Sequence, residues 1–143
     1  MGRFGKIKET KITERGIYFL PGLHTVRVKC VKAFETRQKV NAVVIEAEVL
    51  KTTSSIPLGT VCTQYIDLGK DAGMPNFKQF AMVAFGVKEE EVDEEAAEMI
   101  VSEKQPAAGK VLALQCSTAT SQKTKQEYTR HWWLSETEAA KAA

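Results

Sequence analysis

The sequence predicts a mainly β domain: a five-stranded antiparallel barrel with Greek-key connections and a helical insertion between its third and fourth strands. Three observations carry this. Apolar residues recur with period two in three stretches before residue 70 and in two after residue 110. The period changes to that of a helix only between about residues 74 and 103. No helix separates the first three strands, which excludes an all-parallel sheet.

Taking the elements in order, residues 1–15 are polar and basic without sustained periodicity, and are expected to form a flexible arm. The domain proper spans residues 16–136. GIYFLP (16–21) is a short apolar stretch that ends in a Pro-Gly turn signal. The first strand follows from Gly22 to about Phe34, with Val26, Val28 and Cys30 alternating with Arg27, Lys29 and Val31. A charged turn, ETRQK (35–39), leads into the second strand, about Val40 to Thr52. Val43, Ile45, Ala47 and Val49 are expected to face the core, because the opposite face would bury Glu46 and Glu48. TTSSIPLG breaks the chain, and a third strand runs from about Thr60 to Leu68.

Met74-Pro75 places proline where a helix begins. Phe77, Phe80, Ala81, Ala84 and Phe85 then fall on one helical face, and Gly86 suits the residue after the helix end. Asp93 is placed to cap a second, short helix that packs Ala97, Ile100 and Val101 inward. Val111–Thr118 and Gln126–Glu136 make a closing hairpin around the basic turn ATSQKTK (119–125). Residues 137–143 are expected to be a short disordered tail.

Composition narrows the class. A chain of 143 residues suits one domain. A domain near this size buries about 68–70% of its unfolded surface and needs neither disulfide nor metal to build a core. Hydrophobic and charged shares of 43% and 27% exclude disordered, collagen-like and coiled-coil classes. No apolar run approaches the roughly 18–20 residues of a membrane span. No secretion-signal core follows the basic N-terminus. Cys30, Cys62 and Cys116 form no CxxC pair, their number is odd, and no Asn-X-Ser/Thr sequon occurs; the pattern reads as a reducing compartment.

Net charge is only +2, but residues 89–103 hold 8 of the 18 acids (Glu89, Glu90, Glu91, Asp93, Glu94, Glu95, Glu98 and Glu103) and no Lys or Arg. The rest of the chain therefore sets 20 basic residues against 10 acidic ones. A basic body points to a polyanionic partner.

Five strands with a helix between the third and fourth is the layout of the OB-fold. Such barrels bind oligonucleotides or oligosaccharides on the second and third strands and on the loops joining strands one to two and four to five. Here those loops, ETRQK and ATSQKTK, are both net basic. The residues GIYFLPGLHTV (16–26), DLGKDAGMPNFKQF (67–80), GKVLALQC (109–116) and EYTRHWWL (127–134) resemble the small OB-fold single-stranded DNA-binding proteins of tailed bacteriophages and prophages. The resemblance covers roughly residues 16–135. It implies a non-catalytic, cofactor-free protein of the bacterial host's cytoplasm that works with phage or host replication and recombination proteins. It transfers no defined list of DNA contacts. Many bacterial single-strand binders end in an acidic tail; this chain ends in SETEAAKAA, and its acidic cluster is internal.

Single-strand binding needs cations along the phosphates and aromatic faces under the bases. The candidate cations are Arg27, Lys29, Lys32, Arg37, Lys39, Lys123, Lys125 and Arg130. The candidate stacking residues are Tyr65, Tyr128 and one of Trp132 and Trp133, which as strand neighbours point to opposite faces. Phase alone does not say which. Glu46 and Glu48 argue against DNA on the second strand, favouring the loops and the fifth strand or a partner surface there. His24 and His131 lack metal-ligand spacing, and no phosphate-binding glycine loop occurs, so no enzyme is expected. Alternatives are an RNA binder and an OB-like module that recruits replication proteins through its acidic helix. An exposed sheet edge, with Val44, Leu50 and one of the tryptophans facing outward to line the contact, predicts a homodimer or higher oligomer.

Overall fold

The computed structural model describes residues 17–35, 39, 41–120, 122 and 125–135. The predicted arm and tail, and the candidates Arg37 and Lys123, lie outside the described residues. Six strands form one sheet: β1 (Ile17–Tyr18), β2 (Gly22–Glu35), β3 (Asn41–Thr52), β4 (Val61–Asp67), β5 (Val111–Thr120) and β6 (Glu127–Leu134). Between β4 and β5 come helix α1 (Gly73–Phe85), a 3-10 turn (Glu89–Glu91) and helix α2 (Glu94–Val101). The strand order is β1-β4-β3-β2-β5-β6. β2, β3 and β4 form a meander, and β5 returns through the helices to lie beside β2, the Greek-key order.

The sheet curls into an open half-barrel of six strands rather than the five-stranded barrel expected. It also contains a parallel pair: Ile17 lies beside Cys62 and Tyr18 beside Thr63. Two residues are too few to display alternation, so β1 left no periodic signal. β4 offers an edge of unpaired backbone groups, and the Pro21-Gly22 turn lets the preceding residues reach it.

One face of the sheet holds the core. Val43, Ile45, Ala47 and Val49 of β3 point into it, as the alternation requires. In β2 the phase changes midway: Val28 sits opposite Ala47 but Cys30 sits opposite Glu46, so Lys29 is the extra residue of a bulge. The bulge turns Cys30 to the outer face and brings Val31 into the core at 0% exposure, reversing the assignment of those two residues. Phe77, Phe80, Ala81 and Ala84 of α1 and Ile100 of α2 cover this face. Phe80 meets Trp133 edge-on at 4.9 Å between ring centres.

α1 starts at Gly73, where a Cβ would lie 1.9 Å from the Asp67 carbonyl oxygen; only glycine permits that approach. It ends at Gly86 in the left-handed conformation, and Asp93 accepts a hydrogen bond from the Ala96 N–H to cap α2.

Two glutamines replace missing strands. Beyond the reach of β5, Gln105 accepts from the Val31 N–H at 2.7 Å and donates to the Val31 carbonyl at 2.8 Å. Gln79 of α1 does the same for Trp133 on β6, accepting at 2.9 Å and donating at 2.6 Å. Each satisfies a strand residue that would otherwise leave buried polar groups unpaired.

Candidate nucleic-acid interface

Among the described residues, no helix covers the outer face of the sheet, and most of the candidate side chains lie on it. β6 supplies the densest group. Tyr128, Arg130 and Trp132 alternate along it and therefore share one face. Their partners across the β5–β6 ladder are Ala119, Ser117 and Gln115. These small or unbranched neighbours leave the rings uncovered: Tyr128 is 46% exposed and Trp132 56%. β2 begins opposite Cys116, so residues 117–120 of β5 and 127–130 of β6 project past the body of the sheet. Lys125, in the left-handed conformation at φ 60°, turns the chain into β6 at the exposed tip.

Trp133 points the other way. It is 1% exposed, and its indole N–H donates to Gln64 of β4 at 2.9 Å, tying the two ends of the curled sheet together. As a base-stacking candidate it is corrected to a core residue, because its phase on β6 aims it under α1.

A second group lies on the outer face of β2, β3 and β4. Arg27 and Lys29 both approach Glu48, at 3.7 and 3.6 Å, so two cations share one carboxylate. Glu46 is half-buried and takes the Cys30 thiol at 3.4 Å. Burial, the Glu46 charge and that hydrogen bond push the Cys30 thiol up to about 11. Burial raises the Cys62 thiol, and burial with Cys62 nearby raises Cys116 to about 12. The three cysteines are free and stay protonated, poor nucleophiles at neutral pH.

Tyr65 of β4 is 43% exposed and lies 6.3 Å from Phe34. With Tyr18 on β1 these make an aromatic corner at the opposite end of the face from Trp132. Phe34 and Tyr18 were not singled out from the sequence. The bulge at Lys29 hides the phase of Phe34, and β1 has no periodic signal. Val44, expected as an outward contact, lies between Lys32 and Tyr65 in the register and is only 7% exposed. Lys39 is exposed on the β2–β3 connection, away from the β6 group, and lines an open cleft of about 1170 Å³ with Lys70, Phe34, Phe77 and Val92.

Beneath Arg130 and Trp132, on the core side of β6, His131 stands edge-on to Phe19 at 6.3 Å. Phe19 also contacts the fully buried His24, which donates from Nε2 to the Leu20 carbonyl and accepts at Nδ1 from Thr52, both at 2.7 Å. The Nε2 atom of His131 is buried without a partner. Burial, reinforced by His24, pulls the His131 ring down to about 4, against a smaller opposing effect of its hydrogen bond to the Thr129 backbone.

Among the described residues, no group of three or more His, Cys, Asp or Glu side chains could hold a metal ion, and no helix is long and apolar enough to cross a membrane. No protein-family model matches the chain, and no curated protein matches it.

Proposed function

We propose that this protein binds single-stranded DNA without catalysis and with little sequence preference, through the projecting β5–β6 hairpin, and that its half-barrel is an OB-fold barrel left open at one seam. The observation that carries the reading is the stripe Tyr128–Arg130–Trp132: two exposed rings flank a cation on a strand face that no described helix covers, above small or unbranched neighbours. Rings spaced along one strand suit stacking under successive bases, and every base has a face to stack, so such a surface discriminates little between sequences. Arg130 and Lys125, with Lys123 two residues before Lys125 in the sequence, supply the positive charge a phosphate chain follows. The Greek-key order and the helices between the third and fourth long strands support the OB-fold assignment.

The central strands are the weaker surface, because Glu48 occupies both Arg27 and Lys29 and Glu46 adds a second carboxylate. Protection of single strands during replication or recombination is the role such binding would serve. The direct test is Trp132→Ala in a titration with oligo-dT. It should weaken binding by about 1–3 kcal/mol while leaving the salt dependence nearly unchanged, since stacking displaces few ions. Unchanged affinity in this variant removes the hairpin as the site.

A further inference from the structure

We propose that the free edge of β6 pairs with the same edge of a second copy of this chain, antiparallel and centred on Thr129. β6 is the last strand of the sheet, and no described strand pairs with its outer edge. The direction of its backbone groups is fixed by one contact. The Trp133 N–H donates to Gln79 rather than to β5, so it points away from the sheet. Residues of the same parity, Glu127, Thr129 and His131, therefore also aim their N–H and C=O groups outward. Gln79 satisfies only Trp133; of the other edge residues, the Thr129 backbone also meets the His131 ring, and a carbonyl oxygen keeps a second lone pair for a strand partner. The edge from Glu127 to His131 is a strand-pairing template: it carries no proline and no bulge, and no other described strand covers it.

The register is bounded on both sides. Sliding the copies toward the C-terminal end places Trp133 in the seam, where Gln79 already holds its backbone. Sliding them toward the other end brings in Lys125, whose positive φ ends the extended conformation. Centring on Thr129 sets Thr129 opposite its symmetry mate and Glu127 opposite His131 of the second copy. The three bonded pairs would exchange about six backbone hydrogen bonds.

The outer-face side chains suit this register. Tyr128 of each copy falls directly opposite Arg130 of the other, a cross-strand cation–ring pair. Each arginine thus meets a ring rather than another arginine. The two stripes overlap side by side: two Arg130–Tyr128 pairs lie at the centre with one Trp132 beyond each end, so each copy contributes half of a continuous surface. That doubling of the stacking surface rests on the DNA-binding reading; the pairing itself does not.

The seam is short, which places association among weak, concentration-dependent contacts. Sedimentation of the full chain without nucleic acid, from about 1 to 200 µM, should show the mass rising from 15.8 kDa toward twice that value. Thr129→Pro removes an outward N–H without touching the β5 ladder, so it should keep its circular dichroism and weaken association at least about tenfold. Thr129→Cys should form a disulfide-linked dimer on mild oxidation, because facing residues of a bonded pair sit within disulfide range. Ala119→Cys, on β5 away from the seam, should not. Crosslinking decides the matter if the proline variant fails to fold. A mass fixed at 15.8 kDa over the whole range, or Thr129→Cys crosslinking no faster than Ala119→Cys, overturns the proposal. None of these readouts involves DNA, so their failure leaves oligo-dT affinity as a separate measurement.

Discussion

Trp132 and Trp133 are neighbours in sequence and opposites in environment, and their substitutions should part accordingly. Trp133→Ala removes the ring packed on Phe80 and strands Gln64, whose amide oxygen accepts the indole N–H. It should cost about 3–5 kcal/mol of stability by denaturant unfolding. Trp132→Ala should leave the unfolding midpoint nearly unchanged, because its ring lies outside. That the pair splits between two faces was legible in the sequence. Which of them enters the core was not, since that depends on how β6 registers against β5 and where α1 lies. His131 was legible only as a non-ligand. Its environment comes from Phe19 and His24, distant in sequence and brought beside it by the fold. The folded ring takes a proton at about 4, against about 6.5 when unfolded, so the unfolded state protonates first as pH falls. The stability due to neutral His131 is complete above about pH 6.5 and is lost toward pH 4, by on the order of 2–3 kcal/mol. Urea unfolding across that window should show this loss, and His131→Phe should flatten the slope. An equally steep slope in the variant would assign the acid sensitivity to other groups.

At the scale of elements, period-two alternation located the long strands because each has one buried and one solvated face. It failed where one residue is inserted. The extra Lys29 exchanges the roles of Cys30 and Val31, and a bulge leaves no mark in the alternation of side-chain types. α1 was legible from its phenylalanines and from Gly86, and α2 from Asp93, because caps and apolar spacing are local signals. The glutamine clamps were not, as a glutamine's partner is set by tertiary placement. The hairpin is the element on which the proposed binding turns. Replacing Lys123 and Lys125 together by Ala should shallow the log–log salt slope of oligo-dT binding by about 1.4 if both meet phosphate, as binding releases about 0.7 ion per phosphate neutralised. A parallel change at Arg27 and Lys29 should have a smaller effect, since Glu48 already engages both. Equal slopes from the two pairs would move the DNA path onto the central strands.

For the whole molecule, the sequence specified a curled, mainly antiparallel sheet with its helices between the third and fourth long strands, and the structure has that order. The added β1 was beyond it, because a two-residue edge strand is placed by how edges meet rather than by any segment's pattern. The acidic segment remains the feature the binding account uses least. Its carboxylates are mostly solvated, and Glu89 pairs with Lys78 at 3.7 Å. If the chain were an interaction module built on that segment, its hairpin would show no nucleic-acid affinity. The measurement that separates the two is a tryptophan-fluorescence titration with oligo-dT at several salt concentrations. Binding through four to six phosphates predicts quenching, with a log–log slope of roughly −3 to −4. Silent fluorescence and no binding at low salt would contradict it.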